Sequence, residues 1–406
     1  MGELIFQPSP RELVPNTNNM SSVEYDCIVI GAGVQGSFTA YQLAKRNKKT
    51  LLLEQFVLPH TRGSSHGQTR IIRKAYEQDF YTQMMDECYK LWSQLEREAG
   101  VTLYRQTGLL VMGPEHSDSY LLYKNTMERN NVPMVILTPE NFSQHIPNVI
   151  LAEGDGALVD INAGVLYADR ALKTVQGQFQ KLGGVIRDKE KVTDITPGPV
   201  VTVSTSAGVY RAKSLVITAG PWANKLLAHI GLQLPLEVQK INVCYWKEKV
   251  PGTYDVKKRF PCFLLTEGEE SDRHIYGLPS NEYPGLVKIC YHIGGETDPD
   301  HRDKQTDRSD IGILQRFVAR CFPGLIPEPA VVESCMYTLT PDSHFVLDCH
   351  PAYSNIVFGA GFSGHGFKFG PIIGKLLCEL SLGEVPSYDL SPFRIRRFQG
   401  NTKSAL

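Results

Sequence analysis

The sequence predicts a mixed α/β fold, in which a parallel sheet is joined to a second domain of antiparallel strands. A buried strand, a glycine-rich turn and a helix follow one another from residue 25. Apolar strands that end in glycine recur at 215–220 and 356–361, and an aromatic, strand-like region spans 240–295. Strands that alternate with helices indicate a parallel sheet, whereas successive short strands indicate an antiparallel one.

The composition excludes several classes of protein. At roughly 150 residues per domain, 406 residues predict two or three domains. Hydrophobic residues make up 42% and charged residues 21%, which is ordinary for a globular chain. The net charge of −1 lacks the basic excess of a nucleic-acid-binding protein. No apolar run approaches the ~20 residues of a membrane span, so we expect neither a nucleic acid nor a membrane as partner.

The cysteines and histidines predict neither a disulfide framework nor a metal site. The nine cysteines are scattered and form no CxxC pair, which argues against a zinc ribbon or a thioredoxin-like site. The histidines form no HxxxH or HExxH pattern. Because the N-terminus carries no secretory signal pattern, we expect an intracellular chain with reduced thiols.

The first ordered unit is a β-α-β crossover. Residues 1–23 are rich in Pro, Asn and Ser without periodicity, which predicts a flexible arm. Cys27–Ile30 is apolar and β-branched, as a buried parallel strand should be. A helix over 34–46 and a second buried strand over 51–53 complete a unit of about 30 residues.

The remaining elements are predicted from periodicity and turn signals. Apolar residues at helical spacing predict a helix over 78–99, and two further helices are expected at 311–321 and 370–382. The alternating stretch 184–212 predicts short antiparallel strands. The polar stretch 296–310 is expected to be a surface loop.

The turn after the first strand carries a dinucleotide-binding fingerprint. Gly31, Gly33 and Gly36 form a GxGxxG between a strand and a helix, and Glu54 ends the next strand. In this context the glycines permit a tight turn, close approach of a pyrophosphate and helix packing, while Glu54 accepts hydrogen bonds from ribose. Periodicity does not decide between NAD and FAD. A single fingerprint near the N-terminus of a long chain suits a tightly held flavin.

Three further motifs carry a resemblance to the monomeric sarcosine oxidase family. They occur in order along a chain that resembles the family from about Tyr25 to Phe398. The motifs are Gly63-Ser64-Ser65-His66-Gly67-Gln68-Thr69-Arg70-Ile71-Ile72-Arg73, Ser334-Cys335-Met336-Tyr337-Thr338 and Gly359-Ala360-Gly361-Phe362-Ser363-Gly364-His365-Gly366-Phe367-Lys368.

The resemblance implies a glutathione-reductase-like, FAD-binding Rossmann domain and a second, antiparallel-sheet substrate domain. It implies a monomeric oxidase that converts secondary amino acids (sarcosine, L-pipecolate or L-proline) to imines and reduces O₂ to H₂O₂. The expected segments are an FAD-binding domain at 24–102, 152–236 and 331–395, a substrate domain at 103–151 and 237–330, and a tail at 396–406.

The resemblance also implies where FAD is held. Cys335 matches the cysteine that attaches the flavin covalently, although a lone cysteine is ordinarily a buried small hydrophobe. Arg62, Gly361 and Gly364 are expected to contact the cofactor through the same motifs.

Four cationic or basic residues gain a role from the resemblance. His66 and Arg70 are implied to lie at the flavin and reacting atoms, although three arginines within 62–73 would otherwise suggest a solvated surface. Arg73 and Lys368 are implied to bind the substrate carboxylate, and a guanidinium can do so bidentately. Lys368 alone would suggest a surface lysine at a helix start.

The strand around Lys288 supplies the other implied residues. The family's matching lysine activates O₂, whereas a strand lysine is otherwise a common guard against edge pairing. His292 falls on the same face of a regular strand and would orient the amine. Tyr276 and Tyr337 are implied to line the substrate pocket, and without the resemblance they suit a core.

Three alternatives remain open on the sequence alone. They are an oxidase of D-amino acids or glycine with the same fold, an NAD-dependent dehydrogenase, and a flavin-binding protein without activity. The chain ends in Ser404-Ala405-Leu406, which resembles the Ser-Lys-Leu peroxisomal address except at its middle residue. We therefore expect a peroxisomal enzyme that binds the import receptor through this tripeptide.

Overall fold

The computed structural model describes residues 24–266 and 274–398. The predicted N-terminal arm and the tripeptide Ser404–Leu406 lie outside these residues. Along the described chain the strands, in order, are β1 (Tyr25–Ile30), β2 (Thr50–Leu53), β3 (Thr69–Ile72), β4 (Tyr104–Gln106), β5 (Leu109–Pro114), β6 (Met134–Leu137), β7 (Asp155–Asp160), β8 (Gly164–Tyr167), β9 (Val185–Arg187), β10 (Val192–Thr196), β11 (Val201–Thr205), β12 (Val209–Ile217), β13 (Glu237–Glu248), β14 (Cys262–Leu265), β15 (Ile275–Leu278), β16 (Leu286–Tyr291), β17 (Gly295–Glu296), β18 (Leu325–Leu339), β19 (Val346–Cys349) and β20 (Ile356–Ala360). The α-helices are α1 (Val34–Lys45), α2 (Asp79–Ala99), α3 (Asp118–Arg129), α4 (Pro139–His145), α5 (Ala168–Lys181), α6 (Ala223–Leu227), α7 (Ser309–Cys321) and α8 (Gly370–Ser381).

The first sheet has eight strands and contains the predicted β-α-β unit. Its order is β10-β11-β12-β1-β2-β9, with β20 beside β12 and β19 beside β20. Strand β1 runs parallel to both neighbours, and Ile28 pairs with Leu51 on one side and Leu215 on the other. Helices α1 and α8 cover one face, so these strands are buried and almost continuously apolar. The predicted strands at 27–30, 51–53 and 356–358 are thereby confirmed.

Part of the predicted antiparallel stretch 184–212 is parallel. Strand β9 pairs in parallel with β2, while β10, β11 and the start of β12 form the antiparallel ladder. Strand β9 follows helix α5 and forms the edge of the first sheet beside β2. Periodicity alone does not carry this information.

The second sheet has nine strands, ordered β17-β13-β16-β15-β14-β5-β7-β6, with β18 paired along β13. Helix α7 covers one face, where Leu314, Phe317 and Val318 pack with Trp246 and Phe263. The predicted helix at 311–321 is confirmed as α7. A third, smaller sheet, β3-β8-β4, lies where the chain passes between the two larger ones.

Two of the expected segments of the first domain contain strands that pair in the second sheet. We expected 152–236 and 331–395 to belong to the first domain. Strand β7 pairs instead with β5 and β6, and β18 pairs with β13 as far as Leu339, so both lie in the second sheet. The chain crosses between domains beyond the ends of these strands, and their apolar pattern does not reveal which sheet they join.

Helix α2 connects the domains on the side of the first sheet. Its buried residues recur at helical spacing and include Tyr81, Cys88 and Trp92. Gly100 ends the helix with a left-handed φ of 67°. The prediction of a helix over 78–99 is confirmed. Across the described ranges, every helix is too short or too polar to span a lipid bilayer.

Candidate active site

A cavity of about 1260 Å³ lies between the two large sheets. Its wall includes the β1–α1 turn of the first sheet and strands β16 and β18 of the second. Pockets for small ligands commonly measure roughly 300–1,000 Å³. The cavity is therefore large enough for a dinucleotide together with a small substrate.

The glycine turn forms the part of the wall that suits a pyrophosphate. Gly31 has a φ of 98°, and a Cβ there would lie 2.5 Å from the carbonyl oxygen of Thr218. A Cβ on Gly36 would lie 2.0 Å from the carbonyl oxygen of Gly31, so α1 can begin this close to β1 only with glycine. The Ala32 amide donates to Glu54 Oε2 at 2.9 Å, which holds the carboxylate at the cavity wall. These residues fit the ribose and phosphates of a dinucleotide.

Further polar atoms on the cavity wall are left for a ligand. Gln35 Oε1, Thr338 Oγ1 and His365 Nδ1 are buried, line the cavity and find no hydrogen-bond partner among the described residues. Buried polar atoms are rarely left unpaired in a native protein. A polar ligand in the cavity would satisfy them. No cluster of three or more metal-type ligands occurs within residues 24–266 and 274–398.

The loop over 63–70 is organised by Arg70 and His66. The Arg70 guanidinium donates to the carbonyl oxygens of Ser64 at 2.9 Å and His66 at 2.6 Å. His66 Nε2 lies 3.1 Å from the carbonyl oxygen of Ser334, so the loop is joined to β18. Burial, together with the positive charge of Arg70, lowers the pKa of His66 to about 4. The imidazole is therefore neutral near pH 7.

Two predicted cofactor contacts lie outside the cavity. The Arg62 guanidinium pairs with Asp303 at 2.8 Å and does not line the cavity wall. Gly361 packs against Thr340 with a φ of 63° and is likewise absent from the wall. Contact of these two residues with the cofactor stays a prediction.

The register of the second sheet collects five side chains on one face. In an antiparallel pair, directly opposed residues point to the same side. Tyr245 on β13 pairs directly with Lys288 on β16. On its other side Lys288 pairs with Leu278 on β15, and Tyr276 lies two residues before Leu278, on the same face. The pairing of β13 with β18 places Cys335 and Tyr337 on this face too. Three separate stretches of sequence thus meet at the cavity.

Cys335 is the cysteine of this face that reaches the cavity. The structure describes all nine cysteines, and Cys335 alone among them lines the cavity wall. Its side chain is buried, with Sγ 3.9 Å from the carbonyl oxygen of Ser64. Its neighbour on the same face, Cys290, is fully buried in the sheet.

Two cations lie in the cavity wall without an anionic partner. The Arg73 guanidinium lies 4.4 Å from the ring centre of Tyr76 and 5.5 Å from that of Tyr123. Lys368 Nζ donates to the carbonyl oxygen of His365 at 3.0 Å. Neither forms an ion pair with an acidic side chain in the part of the chain that the structure describes. Burial and then the charge of Arg73 lower the pKa of Lys368 well below its ordinary value.

Helix α2 fixes the position of Lys368. The backbone carbonyl of Lys368 accepts hydrogen bonds from two side chains of this helix, Trp92 Nε1 at 2.8 Å and Cys88 Sγ at 2.9 Å. Both donors are fully buried. The sequence alone does not reveal this support, because Trp92 and Cys88 fall on the ordinary core face of an amphipathic helix.

His292 and two tyrosines form a hydrogen-bonded group beside the cations. The Tyr337 hydroxyl lies 3.3 Å from His292 Nδ1 and donates to the Tyr276 hydroxyl at 3.2 Å. Burial lowers the pKa of His292 to about 3, and the nearby charge of Arg73 acts in the same direction. Gly364 has a φ of 75° and passes so close that a Cβ on it would lie 2.6 Å from the rings of His292 and Tyr337. His292 is therefore a neutral hydrogen-bonding group.

Lys288 is paired with a carboxylate that the sequence analysis did not single out. Its Nζ donates to Glu282 Oε1 at 3.3 Å, and the two side chains are only 8% and 5% exposed. Glu282 also accepts hydrogen bonds from Thr69 and Tyr245. Glu282 lies in the turn between β15 and β16, where a single glutamate in a sequence carries no signal of burial.

Comparison with known proteins agrees with this geometry. A model of the FAD dependent oxidoreductase family matches residues 26–380. Peroxisomal sarcosine oxidase of Homo sapiens is 56% identical over 385 residues, covering 94% of this chain and 98% of that protein. Monomeric sarcosine oxidase of Bacillus sp. (strain NS-129) is 35% identical over 384 residues, covering 93% and 97%. The match to an FAD-dependent family excludes the NAD-dependent alternative.

A solved structure supports the fold. NikD, described as an unusual amino acid oxidase essential for nikkomycin biosynthesis, superposes with a TM-score of 0.80 at 24% identity, covering 92% of this chain and 98% of that one. The glycine cradle, the large cavity and its unpaired polar atoms fit FAD. From the family match and these relatives, the chain belongs to the monomeric sarcosine oxidase family of FAD-dependent oxidoreductases.

Proposed function

We propose that this enzyme oxidises the C–N bond of a secondary amino acid to an imine and reduces O₂ to H₂O₂. The observation that carries the proposal is the pair of unpaired cations, Arg73 and Lys368, beside the neutral His292 and within one cavity with Lys288 and Cys335. Two cations around one small pocket suit the carboxylate of an amino acid and leave a simple amine unmatched. Bound FAD supplies the two-electron acceptor and returns the electrons to O₂.

The residues of the chain bind and orient the substrate. Arg73 and Lys368 hold the carboxylate, and the rings of Tyr276 and Tyr337 enclose the apolar part. Neutral His292 hydrogen-bonds the substrate amine and orients it. The positive charge of Arg73 nearby favours the neutral form of the amine, which has a lone pair to release. His66 and Arg70 fix the loop that carries Thr69 beside Glu282.

The cofactor is proposed to be attached through the Cys335 sulfur. Cys335 is the cavity-lining cysteine on the sheet face that also carries Lys288. Lys288 is proposed to provide the positive charge for O₂ reduction. The glycine turn and Glu54 hold the dinucleotide end of the same cofactor, and the enzyme acts as a monomer.

A panel of amino acids tests the function. The purified enzyme should release H₂O₂ with sarcosine, L-pipecolate or L-proline, and much less with D-pipecolate or glycine. Release can be followed by a peroxidase-coupled dye. A preference for D-pipecolate or glycine would instead support the D-amino-acid or glycine oxidase alternative. No release with any of them would contradict an oxidase function.

The pH dependence of carboxylate binding tests Lys368 separately. Burial lowers the pKa of Lys368 in the free enzyme. A carboxylate bound beside the amine should raise this pKa again, so carboxylate binding should take up a proton. The affinity for the carboxylate is highest below the pKa of Lys368 in the free enzyme and falls as pH rises through that pKa. Cyclohexanecarboxylate is a suitable probe, since it has no amine to titrate between about pH 6 and pH 10. Its dissociation constant, measured by flavin absorbance, should rise with pH.

The variant Lys368→Met should weaken this binding about tenfold to a hundredfold and remove the pH dependence. His292 and His365 do not interfere, because burial lowers the pKa of both. Lys375→Met, which changes an outer lysine of α8 paired with Glu87, serves as the control. An unchanged dissociation constant in Lys368→Met would contradict the assignment.

Peroxisomal location is proposed from the relatives. The human and mouse relatives, at 56% and 55% identity, are both named peroxisomal sarcosine oxidase. An H₂O₂-producing enzyme is suited to such a compartment. The residues of the expected import signal lie outside the described part of the chain.

A further inference from the structure

The pair of Lys288 and Glu282 is one end of a longer series of hydrogen bonds. Glu282 accepts from the Tyr245 hydroxyl, which lies 3.3 Å from Glu333 Oε2. Glu333 accepts in turn from the hydroxyl of Tyr283. Lys288 and Tyr245 are buried, whereas Glu333 and Tyr283 are only half-buried. The series therefore runs from the interior of the cavity wall to groups that water can reach.

We propose that Glu282, Tyr245 and Glu333 form a relay that returns a proton to Lys288 after each reduction of O₂. The proposal rests on the oxidase function proposed above and adds residues that act through Lys288. None of the three is needed to bind the substrate carboxylate. They are relay residues, since their contacts are with Lys288 and with one another.

Lys288 must regain a proton after each turnover in which it donates one. Oxidation of a secondary amine to an imine releases two electrons and two protons, and reduction of O₂ to H₂O₂ consumes two of each. Lys288 donates one of these protons as an ammonium and is left as an amine. Glu282 passes a proton to Lys288 and receives one from Tyr245, which in the same concerted shift accepts one from Glu333. Burial and the neighbouring carboxylates raise the pKa of Tyr245, so no tyrosinate forms. Glu333 takes its replacement proton from water, and the series ends unchanged.

Electrostatics favour reloading at the right moment. Burial by itself would raise the pKa of Glu282, but the charge of Lys288, two hydroxyl donors and the charge of Arg70 hold it below its ordinary value. Once Lys288 has lost its proton, the largest of these lowering effects is gone and the buried carboxylate binds a proton readily. The other facing groups, Tyr283 and Cys290, have raised pKa values and stay neutral near pH 7.

The variant Tyr245→Phe tests the relay. It removes the hydroxyl and keeps the ring, whose centre lies 5.7 Å from Lys288 Nζ. The first turnover uses the proton already on Lys288 and should keep the wild-type rate. Later turnovers wait for reloading, so H₂O₂ should appear as a burst of one per enzyme, followed by a phase slower by about tenfold or more. The slow phase should show a larger solvent isotope effect than the wild type.

Two further variants make the result decisive. Glu333→Gln keeps the shape of the side chain but cannot carry the proton, and it should give the same burst. Tyr254→Phe is the matched control, because this buried hydroxyl of the same domain donates to the carbonyl of Asn148 outside the relay. It should show no burst. Absence of a burst in either Tyr245→Phe or Glu333→Gln would overturn the relay.

Thermal unfolding provides a readout that is independent of turnover. Removing one partner of a buried ion pair leaves an uncompensated charge, whereas removing both restores neutrality. The double variant Glu282→Gln/Lys288→Met should therefore unfold at a higher temperature than the less stable single variant. Equal or lower stability of the double variant would show that Glu282 and Lys288 are not an ion pair, and the relay would fail.

Failure of the relay can be separated from failure of the proposed function. Wild-type H₂O₂ release with the secondary amino acids, combined with no burst in Tyr245→Phe, would reject the relay and leave the oxidase intact. Loss of H₂O₂ release in the wild type would reject the function itself, while the unfolding comparison would still report on the ion pair.

Discussion

The variant Cys335→Ser is expected to lose all covalently attached flavin. The Cys335 sulfur lines the cavity, and an oxygen in its place does not form the thioether. When the native enzyme is precipitated with acid, the cradle unfolds but the proposed covalent bond would remain, so the pellet should be yellow. The Cys335→Ser pellet should be colourless, with its FAD in the supernatant. Mass spectrometry of the native peptide that contains Cys335 should show the added mass of FAD.

Cys290→Ser is the matched control for this experiment. Cys290 lies on the same face of the sheet but is fully buried and does not reach the cavity wall. Its variant should retain a yellow pellet. A native pellet that releases all of its flavin would contradict the attachment, and a yellow Cys335→Ser pellet would place the bond on another residue.

The variant Lys288→Met is expected to separate the two half-reactions. Its side chain is buried and paired with Glu282, and the proposed function has negative charge develop beside it as O₂ is reduced. Loss of one preorganised group of this kind slows a reaction by about a hundredfold to a thousandfold. Reoxidation by O₂, followed by stopped-flow absorbance, should slow by at least this factor. Anaerobic reduction by substrate should change far less.

Lys240→Met controls for the loss of a lysine from the same sheet. Lys240 lies on β13, and its amine donates to the backbone carbonyl of Gln305. Both half-reactions should remain near wild type in this variant. Equal slowing of reduction and reoxidation in Lys288→Met would mean that this lysine acts through the packing of the cavity wall and not through its charge at the oxygen.

The first half of the cofactor site could be predicted from the sequence alone. Gly31, Gly36 and Glu54 lie within about 30 residues, in a strand-turn-helix-strand unit whose geometry is local. Positions such as Gly36 are informative because any Cβ there would collide with the backbone. In the later glycine-rich motif, Gly364 lines the cavity and Gly361 packs against Thr340.

The second half of the cofactor site depends on the register between strands that are distant in the sequence, and the periodicity of the sequence does not reveal that register. Cys335, Lys288 and Tyr276 share a face only because β13 pairs with β18 on one side and β16 on the other. The family resemblance identified these residues before the sheet was known. It did not identify Glu282 or Tyr245, since a turn glutamate and a strand tyrosine acquire their roles through tertiary contacts. The ion pair of Arg62 with Asp303 is likewise a tertiary contact that the sequence does not show.

The most direct test of the central claim is a single turnover followed by reoxidation. The enzyme is mixed anaerobically with L-pipecolate or sarcosine, and O₂ is then admitted. The account predicts that the flavin absorbance bleaches without O₂, returns when O₂ is added, and that one H₂O₂ forms for each amino acid oxidised. Absorbance that stays unchanged with sarcosine, L-pipecolate and L-proline, or that returns without H₂O₂, would contradict the claim that this chain is a secondary amino acid oxidase.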